Sequence, residues 1–511
     1  MTRLLAVRVL VFLFLVAAAV AGGGKLNASS SPLYGIEFPP FNAGVADAGC
    51  DGKLVAQEVG EVEVTRSPSL KLHMTRRSAA DAAAAGRTMK DSFLDSAEKD
   101  VARIRTMLRK VTGADGKRAA ATAARTNSSP RRALSERMVA TVESGVAVGS
   151  GEYLVDVYVG TPLRRFQMIM DTGSDLNWLQ CAPCLDCYEQ RGEVFDPSSS
   201  LSYRNLTCGD PACALISPPP PSPSPRTCRR PGRDGCPYYY WYGDQSNTTG
   251  DLAVEAFTVN LTGGASRRVE RVVFGCGHAN RGLFHGAAGL LGLGRGALSF
   301  TSQLRAAYGH AAFSYCLVDH GSSVGSKIVF GDDDALLANP LLNYTSFATG
   351  DTFYYVQIKA VLVGGEQLDI PASTWDVSGG GTIVDSGTTL SYFASPAYEA
   401  IRRAFVTRME RASYRLIPDF PVLSPCYNVS GVERVEVPEF SLLFADGAVW
   451  DFPAENYFIR LEPDGIMCLA VLATPRSAMS IIGNFQQQNF HVLYDLQNNR
   501  LGFAPRRCAE V

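Results

Sequence analysis

Two short stretches, Asp171-Thr172-Gly173-Ser174 and Asp385-Ser386-Gly387-Thr388, are nearly identical and stand far apart in the chain. Each follows an apolar, β-prone run, residues 166–170 in the first case and 382–384 in the second. The glycine allows a tight turn after the carboxylate. The neighbouring hydroxyl can hydrogen-bond a carboxylate or the opposing backbone and so fix its orientation. One such stretch would be an ordinary turn, but two predict a single site that shares both carboxylates.

An apolar pair followed by glycine comes after each of these stretches: Gly289-Leu290-Leu291-Gly292 after the first and Ser480-Ile481-Ile482-Gly483 after the second. Because the same order of motifs occurs twice, we expect two related lobes that join near residues 339–351.

Short β-prone runs separated by Gly, Pro, Asp and Asn begin beyond residue 151, at 153–159, 269–274, 327–330, 354–363 and 491–496. Two helices, at 301–308 and 396–409, are expected as surface additions. Regular short strands with few helices predict an all-β architecture.

The charge of the chain is divided unevenly. The 511 residues are 46% hydrophobic and 19% charged, with a net charge of −2, a composition that suits large packed cores. Residues 1–140 hold 21 basic and 13 acidic side chains, a net charge of +8, whereas the remainder holds 27 and 37, a net charge of −10. A basic leader on an acidic body disfavours nucleic-acid binding by the body and suggests that the leader is its electrostatic partner.

The leader begins with a targeting signal. Arg3 and Arg8 precede an apolar run over residues 9–21 that ends in small residues, which predicts a signal peptide at 1–21 cleaved before Gly22. The run is too short to favour a membrane span. A plastid transit peptide is the weaker alternative.

Residues 22–140 are interpreted as a prosegment. Apolar residues recur at helical spacing over 90–110, which predicts a helix. This helix either packs on the surface in an ordinary way or blocks the site until the chain is cleaved. Residues 111–137 are rich in Ala, Arg, Ser and Gly and are typical of an exposed processing linker.

Twelve of the thirteen cysteines lie after residue 150, which predicts six disulfides in an exported body. The spacing Cys181-x-x-Cys184-x-x-Cys187 would also suit zinc, but the exported context and the lack of matching histidines favour disulfides. An extended, proline-rich tract at 217–225 lies within this cysteine-rich region. The sequons at Asn205, Asn247, Asn260, Asn343 and Asn428 agree with a secretory route.

From about residue 151 to 508 the chain resembles the pepsin-like aspartic endopeptidases, and most of all their plant nepenthesin-type branch. The matching pieces are both Asp motifs, Trp178 seven residues after the first, Tyr242-Gly243-Asp244 with Ser246, Gly289-Leu-Leu-Gly-Leu-Gly, and Ile481-Ile-Gly-Asn. The cysteine-rich region resembles the insertion of that branch. The resemblance implies an all-β, bilobal fold with the cleft between an N-terminal lobe, 141–340, and a C-terminal lobe, 341–511.

The resemblance also implies roles for single residues. Asp171 and Asp385 would form the catalytic pair, with Ser174 and Thr388 as the hydroxyls that orient them. The remaining residues matched to the flap and substrate-binding positions are Tyr242, its hydrogen-bonding neighbour Trp178, Gly173 and Gly387. Gln245 stands where the family's flap usually has glycine. The resemblance pairs Cys426 with Cys468.

The chemistry gives a reason for this pair. Two nearby carboxylates cannot readily both be charged, so one keeps a proton. The ionised carboxylate can take a proton from a water that attacks a peptide carbonyl, while the protonated carboxyl hydrogen-bonds the carbonyl oxygen.

The resemblance therefore implies a secreted aspartic endopeptidase, made as a zymogen and active at acid pH. Proteins or peptides would be its substrates and its own prosegment its inhibitor. We expect a monomer in the apoplast, or alternatively the vacuole or plastid, with no cofactor, metal ion, membrane span or, in the mature form, nucleic-acid partner.

Two other hypotheses remain. A catalytically silent relative of the plant xylanase inhibitors is disfavoured because both Asp motifs are intact. A plastid protease that binds DNA is disfavoured by the net charge of −10 on the body, although the basic leader would suit DNA before its removal.

Overall fold

The structure is a computed structural model that describes residue 94, residues 96–104, residue 107, residues 138–144 and residues 151–510, with short gaps. The gaps are 220–227, 243–245, 262–265, 283, 285, 309–311, 320–321, 323, 351, 419, 462–464 and 475–478. The described residues all belong to the compact unit Thr65–Val511. The predicted signal peptide, the processing linker, Gln245 and most of the proline-rich tract lie outside them.

The largest described sheet has fourteen strands and includes β1–β12 from the first part of the described chain and β26 and β27 from its end. Its strands are β1 (Met138–Ser144), β2 (Tyr153–Val159), β3 (Arg164–Asp171), β4 (Trp178–Gln180), β5 (Arg204–Asn205), β6 (Pro237–Trp241), β7 (Asn247–Leu261), β8 (Ser266–Arg281), β9 (Gly289–Gly292), β10 (Ala312–Cys316), β11 (Ser326–Phe330), β12 (Asn343–Ser346), β26 (Phe490–Asp495) and β27 (Arg500–Pro505).

Three smaller sheets build the C-terminal part. The first holds β13 (Tyr355–Val356), β16 (Thr382–Val384), β17 (Ser391–Phe393), β24 (Val471–Ala473) and β25 (Ser480–Ile482). The second holds β14 (Ile358–Val363), β15 (Glu366–Gln367), β20 (Phe440–Phe444) and β21 (Val449–Phe452). The third holds β18 (Arg415–Ile417), β19 (Cys426–Asn428), β22 (Phe458–Leu461) and β23 (Ile466–Leu469).

Helices are few in the part of the chain that the structure describes. The α-helices of the body are α1 (Phe300–Tyr308), α2 (Asp334–Leu337) and α3 (Ser395–Arg411). Single 3₁₀ turns occur at Pro197–Ser199, Pro211–Leu215, Ala372–Trp375, Val377–Gly379, Ala454–Asn456 and Cys508–Glu510. Residues 94, 96–104 and 107 are also helical, and we call them the leader helix. The all-β, two-lobed architecture expected from the sequence is confirmed.

The repeated apolar motifs lie directly beside the strands that carry the two aspartates. Strand β9 pairs in parallel with β3, which ends at Asp171. Strand β25 pairs in parallel with β16, which ends one residue before Asp385. All residues of β9, β16 and β25 are buried. Pairing with β9 therefore fixes the position of Asp171, and pairing of β16 with β25 fixes the position of Asp385.

The fourteen-stranded sheet joins the two lobes. Strand β10, before residue 340, pairs antiparallel with β26, after it; β26 also pairs with β27, which in turn pairs with β12. Hydrogen bonds therefore connect segments on both sides of the lobe boundary predicted at residue 340. Strand β1 pairs with β2 and β11 and itself straddles residue 140, the predicted end of the prosegment.

The twelve cysteines beyond residue 150 form six disulfides. The pairs are Cys181–Cys276, Cys184–Cys187, Cys208–Cys228, Cys213–Cys236, Cys316–Cys508 and Cys426–Cys468. Three of these bonds lie within the cysteine-rich part of the N-terminal lobe, and Cys181–Cys276 joins that part to β8.

Candidate active site

The two repeated turns meet at the centre of the body. Asp171 and Asp385 are both fully buried. The Gly173 N–H and Ser174 hydroxyl donate to the two oxygens of Asp171, at 2.9 and 2.6 Å. The Gly387 N–H and Thr388 hydroxyl donate to Asp385 at the same two distances. The two carboxylates thus have matching local hydrogen bonds.

The second residue of each motif holds the two turns together. The Thr172 N–H donates to Ser386 Oγ at 3.1 Å, and the Ser386 N–H donates to Thr172 Oγ1 at 2.9 Å. The Ser386 hydroxyl continues across to the Met170 carbonyl, at 2.9 Å. Because each hydroxyl side chain reaches the opposing backbone, the relative position of the two carboxylates is fixed by both lobes.

The glycines allow the two carboxylates to approach. A Cβ on Gly173 would lie 2.6 Å from Asp385 Oδ1, and a Cβ on Gly387 would lie 2.3 Å from Asp171 Oδ1. Any side chain at either position would therefore displace the opposite aspartate.

The leader helix places a cation on both carboxylates. Arg103 is buried, and its Nη2 donates to Asp171 Oδ1 at 2.5 Å and to Asp385 Oδ2 at 3.2 Å. A guanidinium held on two buried carboxylates makes strong, charge-assisted hydrogen bonds. In this state Arg103 occupies the position between the aspartates.

The two carboxyl groups differ in proton affinity because their surroundings differ. Burial raises the pKa of Asp171, but the Arg103 guanidinium, the Ser174 hydroxyl and the Gly173 N–H together hold it below its usual range. Burial raises the pKa of Asp385 to about 6, reinforced by the charge of Asp171 and opposed by Arg103. With the leader helix in place, Asp171 is the ionised member and Asp385 the one that keeps a proton up to mildly acid pH.

Hydrogen bonds and apolar contacts also anchor the leader helix. Asp100 accepts the backbone N–H groups of Thr389 and Leu390 at 3.0 to 3.1 Å. Ala97, Ile104 and Met107 are buried in one apolar cluster with residues of the C-terminal lobe. Burying a side chain such as Ile or Met contributes about 1.5 to 3 kcal/mol, so the helix is held by apolar contacts as well as by its charges.

The aromatic pair expected from the sequence is also in contact. Trp178 is fully buried, and its indole N–H donates to the Tyr242 hydroxyl at 2.8 Å. Phe284 packs edge-on against both rings, with centroids 4.9 Å from Trp178 and 5.9 Å from Tyr242. The three rings fix Tyr242 at one wall of the cleft.

Several residues of the site were missed by the sequence reasoning. Arg103 lies in the predicted helix, but its role was not predicted; a signal was its position next to the apolar stripe, between Val101 and Ile104. Asn484 was matched as part of Ile481-Ile-Gly-Asn, but its contact was not predicted: its side-chain amide donates to the Ser386 carbonyl at 3.0 Å. Phe284 carried no signal in the sequence, and neither did Glu152, which accepts a hydrogen bond from Lys99 of the leader helix.

Within the described residues, no group of three or more His, Cys, Asp and Glu side chains is arranged to hold a metal ion. Cys181, Cys184 and Cys187, the residues with zinc-like spacing, are all disulfide-bonded. None of the described helices has the length and apolar character needed to cross a membrane.

Comparison with known sequences finds two family models that match in tandem. The model described as "Xylanase inhibitor N-terminal" matches residues 153–332, and "Xylanase inhibitor C-terminal" matches residues 353–505. Among curated relatives, "Aspartyl protease family protein 2" of Arabidopsis thaliana is 42% identical, covering 72% of this chain and 73% of the relative. "Aspartic proteinase nepenthesin-2" of Nepenthes gracilis is 38% identical, covering 72% and 80%.

Solved structures support the same fold. The crystal structure of edgp matches with a TM-score of 0.61 at 21% identity, covering 75% of this chain and 97% of that one. Basic 7S globulin from soybean matches with a TM-score of 0.56 at 20% identity, covering 72% and 94%. At these identities the likeness concerns the fold alone, and it confirms the pepsin-like architecture.

Proposed function

Since the chain belongs to the pepsin-like aspartic protease family, in the plant branch that includes the nepenthesins, we propose that it is a secreted endopeptidase made as an inactive precursor. The observation that carries the proposal is the pair of fully buried carboxylates, Asp171 and Asp385, each oriented by its own hydroxyl and N–H donor. Proteins are its substrates, as the family implies.

In the mature enzyme a water molecule takes the place of the Arg103 guanidinium between the carboxylates. The ionised carboxylate accepts a proton from this water as the water oxygen attacks the peptide carbonyl carbon. The protonated carboxyl donates its proton to the carbonyl oxygen. The carboxyl that took the water's proton then gives it to the leaving nitrogen as the C–N bond of the tetrahedral intermediate breaks, and the other carboxylate takes a proton back from the intermediate's hydroxyl, which restores the pair. Ser174 and Thr388 keep the carboxylates oriented throughout, and Tyr242 closes the cleft over the substrate.

The leader acts as an inhibitor in the precursor. Arg103 occupies the catalytic position, and Asp100 and the apolar residues of the leader helix keep it there. The net charges of +8 on residues 1–140 and −10 on the remainder support this pairing. Cleavage of the chain between the leader helix and β1 releases the helix.

Acid pH suits this mechanism because one carboxyl must keep its proton. The pKa of Asp385, raised to about 6 by burial, supports a protonated member in acid. As pH rises through the range in which this proton is lost, both carboxylates ionise and the general acid disappears.

Export and glycosylation complete the proposal. Residues 1–21 direct the chain into the secretory pathway, where the six disulfides form. Three of the sequon asparagines, Asn205, Asn343 and Asn428, are exposed and suited to carry glycans. The mature protein works as a monomer in the apoplast, with vacuole or plastid as alternative destinations.

The test is proteolysis of an unfolded protein after maturation at acid pH. The wild type should cleave it, pepstatin should block cleavage, and Asp385→Asn should abolish it. Asp376→Asn removes an exposed carboxylate from the same lobe and should remain active. Cleavage by Asp385→Asn, or none by the folded, matured wild type at any acid pH, would refute the proposal.

The second outcome would favour a binding protein. The matching family models bear the name of xylanase inhibitors, and such a protein needs the fold without the chemistry. A folded, matured and inactive wild type should then be tested for inhibition of a xylanase.

A further inference from the structure

A second ion pair joins the leader helix to the body beside the aspartates. Lys99 lies one helical turn before Arg103, about 6 Å along the helix axis. Its ammonium donates to Glu152, the residue immediately before β2. The side chains of Lys99 and Glu152 are only 7% and 4% exposed, so both charges are removed from water.

The pair lies in the cleft and not on the outer surface. Lys99, Arg103 and Glu152 line one small cavity together with Ile169, Tyr242, Phe284 and Leu290. Ile169 is two residues before the catalytic Asp171, and Leu290 lies in β9, the strand paired with β3. Tyr242 and Phe284 belong to the aromatic wall described above. The cavity therefore adjoins the position of the scissile peptide bond.

The chemistry of this cavity matches a long cationic side chain. Its apolar and aromatic walls can pack against a methylene stem, and Glu152 supplies a carboxylate for the charged end. Arg103 takes the place of the reacting group while Lys99 fills the neighbouring cavity. The leader thereby places a lysine next to the position between the two aspartates.

We infer that Glu152 is a specificity-determining residue, which makes the subsite beside the scissile bond select a lysine or arginine side chain of the substrate. This inference rests on the proposed function. When the leader helix departs, Glu152 loses the Lys99 ammonium, and a substrate cation that enters the cavity restores it. A buried carboxylate paired with a cation is far more favourable than one facing a neutral side chain, and an acidic side chain would be repelled.

A role limited to anchoring the leader is the competing explanation for the pair. The two explanations separate in the mature enzyme, from which Lys99 has been removed. An anchor has no effect there, whereas a specificity residue alters which peptides are cleaved.

The experiment compares mature wild type, Glu152→Gln, Glu152→Asp and Asp156→Asn. Asp156 lies on β2 and pairs with Arg165, so its variant removes a nearby carboxylate outside the cleft. The substrates are peptides that carry lysine, arginine, norleucine or glutamate in turn at each position within three residues of one scissile bond. kcat/KM is measured at about pH 5, above the ordinary pKa of a glutamate side chain, about 4.3.

At one position, wild type and Asp156→Asn should prefer lysine and arginine over norleucine by about tenfold or more, which corresponds to about 1.4 kcal/mol. In Glu152→Gln this ratio should fall to about one, while Glu152→Asp should keep part of it because the charge remains. The ratio is taken within each variant, so a general loss of activity cancels.

Two results would overturn the inference alone: peptides cleaved by the wild type with no preference for a cation at any position, or a preference unchanged in Glu152→Gln. The first result needs only the wild type, so it tests the inference even if Glu152→Gln fails to fold. If the wild type cleaves no peptide, including those with norleucine, the proposed function fails and this inference fails with it.

Discussion

Replacing Arg103 with methionine tests whether the ion pairs of Arg103 with Asp171 and Asp385 keep the precursor inactive. Methionine keeps an unbranched apolar side chain of similar thickness but lacks the guanidinium that donates to Asp171 and Asp385. The leader helix should still dock, because Asp100, Ala97 and Ile104 keep their contacts. The precursor should then open more often and show activity before it is cleaved.

The size of the effect follows from the contacts. Hydrogen bonds to charged groups contribute about 1.5 to 3 kcal/mol each, and breaking a buried ion pair costs about 3 to 5 kcal/mol when the remaining charge stays buried. Here the two aspartates regain water when the helix leaves, so we expect the lower end, about 3 kcal/mol. This raises the ratio of open to docked precursor by about a hundredfold.

The assay is the initial rate of hydrolysis of a short fluorogenic peptide by the full-length precursor at acid pH, with gel samples to show that the chain is still intact. Pepstatin affinity of the intact precursor gives a second measure, since the inhibitor needs the same position as Arg103. Glu98→Gln changes an exposed charge on the same helix and is the control. A folded, uncleaved Arg103→Met precursor as inactive as the wild type, or an equal effect in Glu98→Gln, would refute the reasoning.

Three more predictions concern pH, packing and stability. Burial, only partly offset by two backbone N–H donors, raises the pKa of Asp100 from 3.8 to about 7. Docking of the leader helix is therefore most favourable below pH 3.8 and weakens as pH rises towards 7. The rate of hydrogen exchange in the helix should rise over this pH range more in the wild type than in Asp100→Asn, after correction for the intrinsic exchange rate. Gly387→Ala places a Cβ 2.3 Å from Asp171 Oδ1 and should lower kcat of the mature enzyme by about a hundredfold or more, whereas Gly232→Ala, where a Cβ meets nothing within 4 Å, should leave it unchanged. Replacing Cys426 and Cys468 together by serine opens a loop spanning 42 residues and should lower the free energy of unfolding by about 4 kcal/mol; an unchanged denaturation midpoint would contradict it.

Elements that depend on a few neighbouring residues could be predicted from the sequence. The run at 153–159 is strand β2 with the same bounds, and helix α1 begins one residue before the predicted 301–308. The two Asp motifs were recognisable because a β-prone run, a carboxylate, a glycine and a hydroxyl stand within a few residues. Such features need no knowledge of distant partners.

Features that depend on distant pairing were predicted less well. The single run expected at 354–363 is divided between β13 and β14, because β13 pairs with β16 and β14 pairs with β20 in another sheet. The helix at 90–110 could be predicted from its apolar spacing, but not that Arg103 would reach the aspartates. A surface arginine and a buried one look alike in sequence, since the difference lies in what the helix packs against.

The contact of Arg103 with the two aspartates also constrains how the proposed precursor could be activated. Burial lowers the pKa of Arg103, but the two aspartates outweigh it and raise this pKa well above its ordinary value, so Arg103 keeps its charge and pH acts on this contact only through its partners. Acid weakens the contact with Asp171, whose pKa Arg103 lowers, but it strengthens the contact of Asp100, whose pKa burial raises. Because the two responses oppose each other, acid alone should loosen the leader helix without expelling it. Cleavage between the helix and β1 is then the step that makes activation irreversible, since a severed helix is diluted away from the cleft. A precursor made uncleavable in residues 111–137 should therefore lose its acid-induced hydrolysis of peptides again when it is returned from about pH 3 to about pH 5, where Asp385 still keeps its proton.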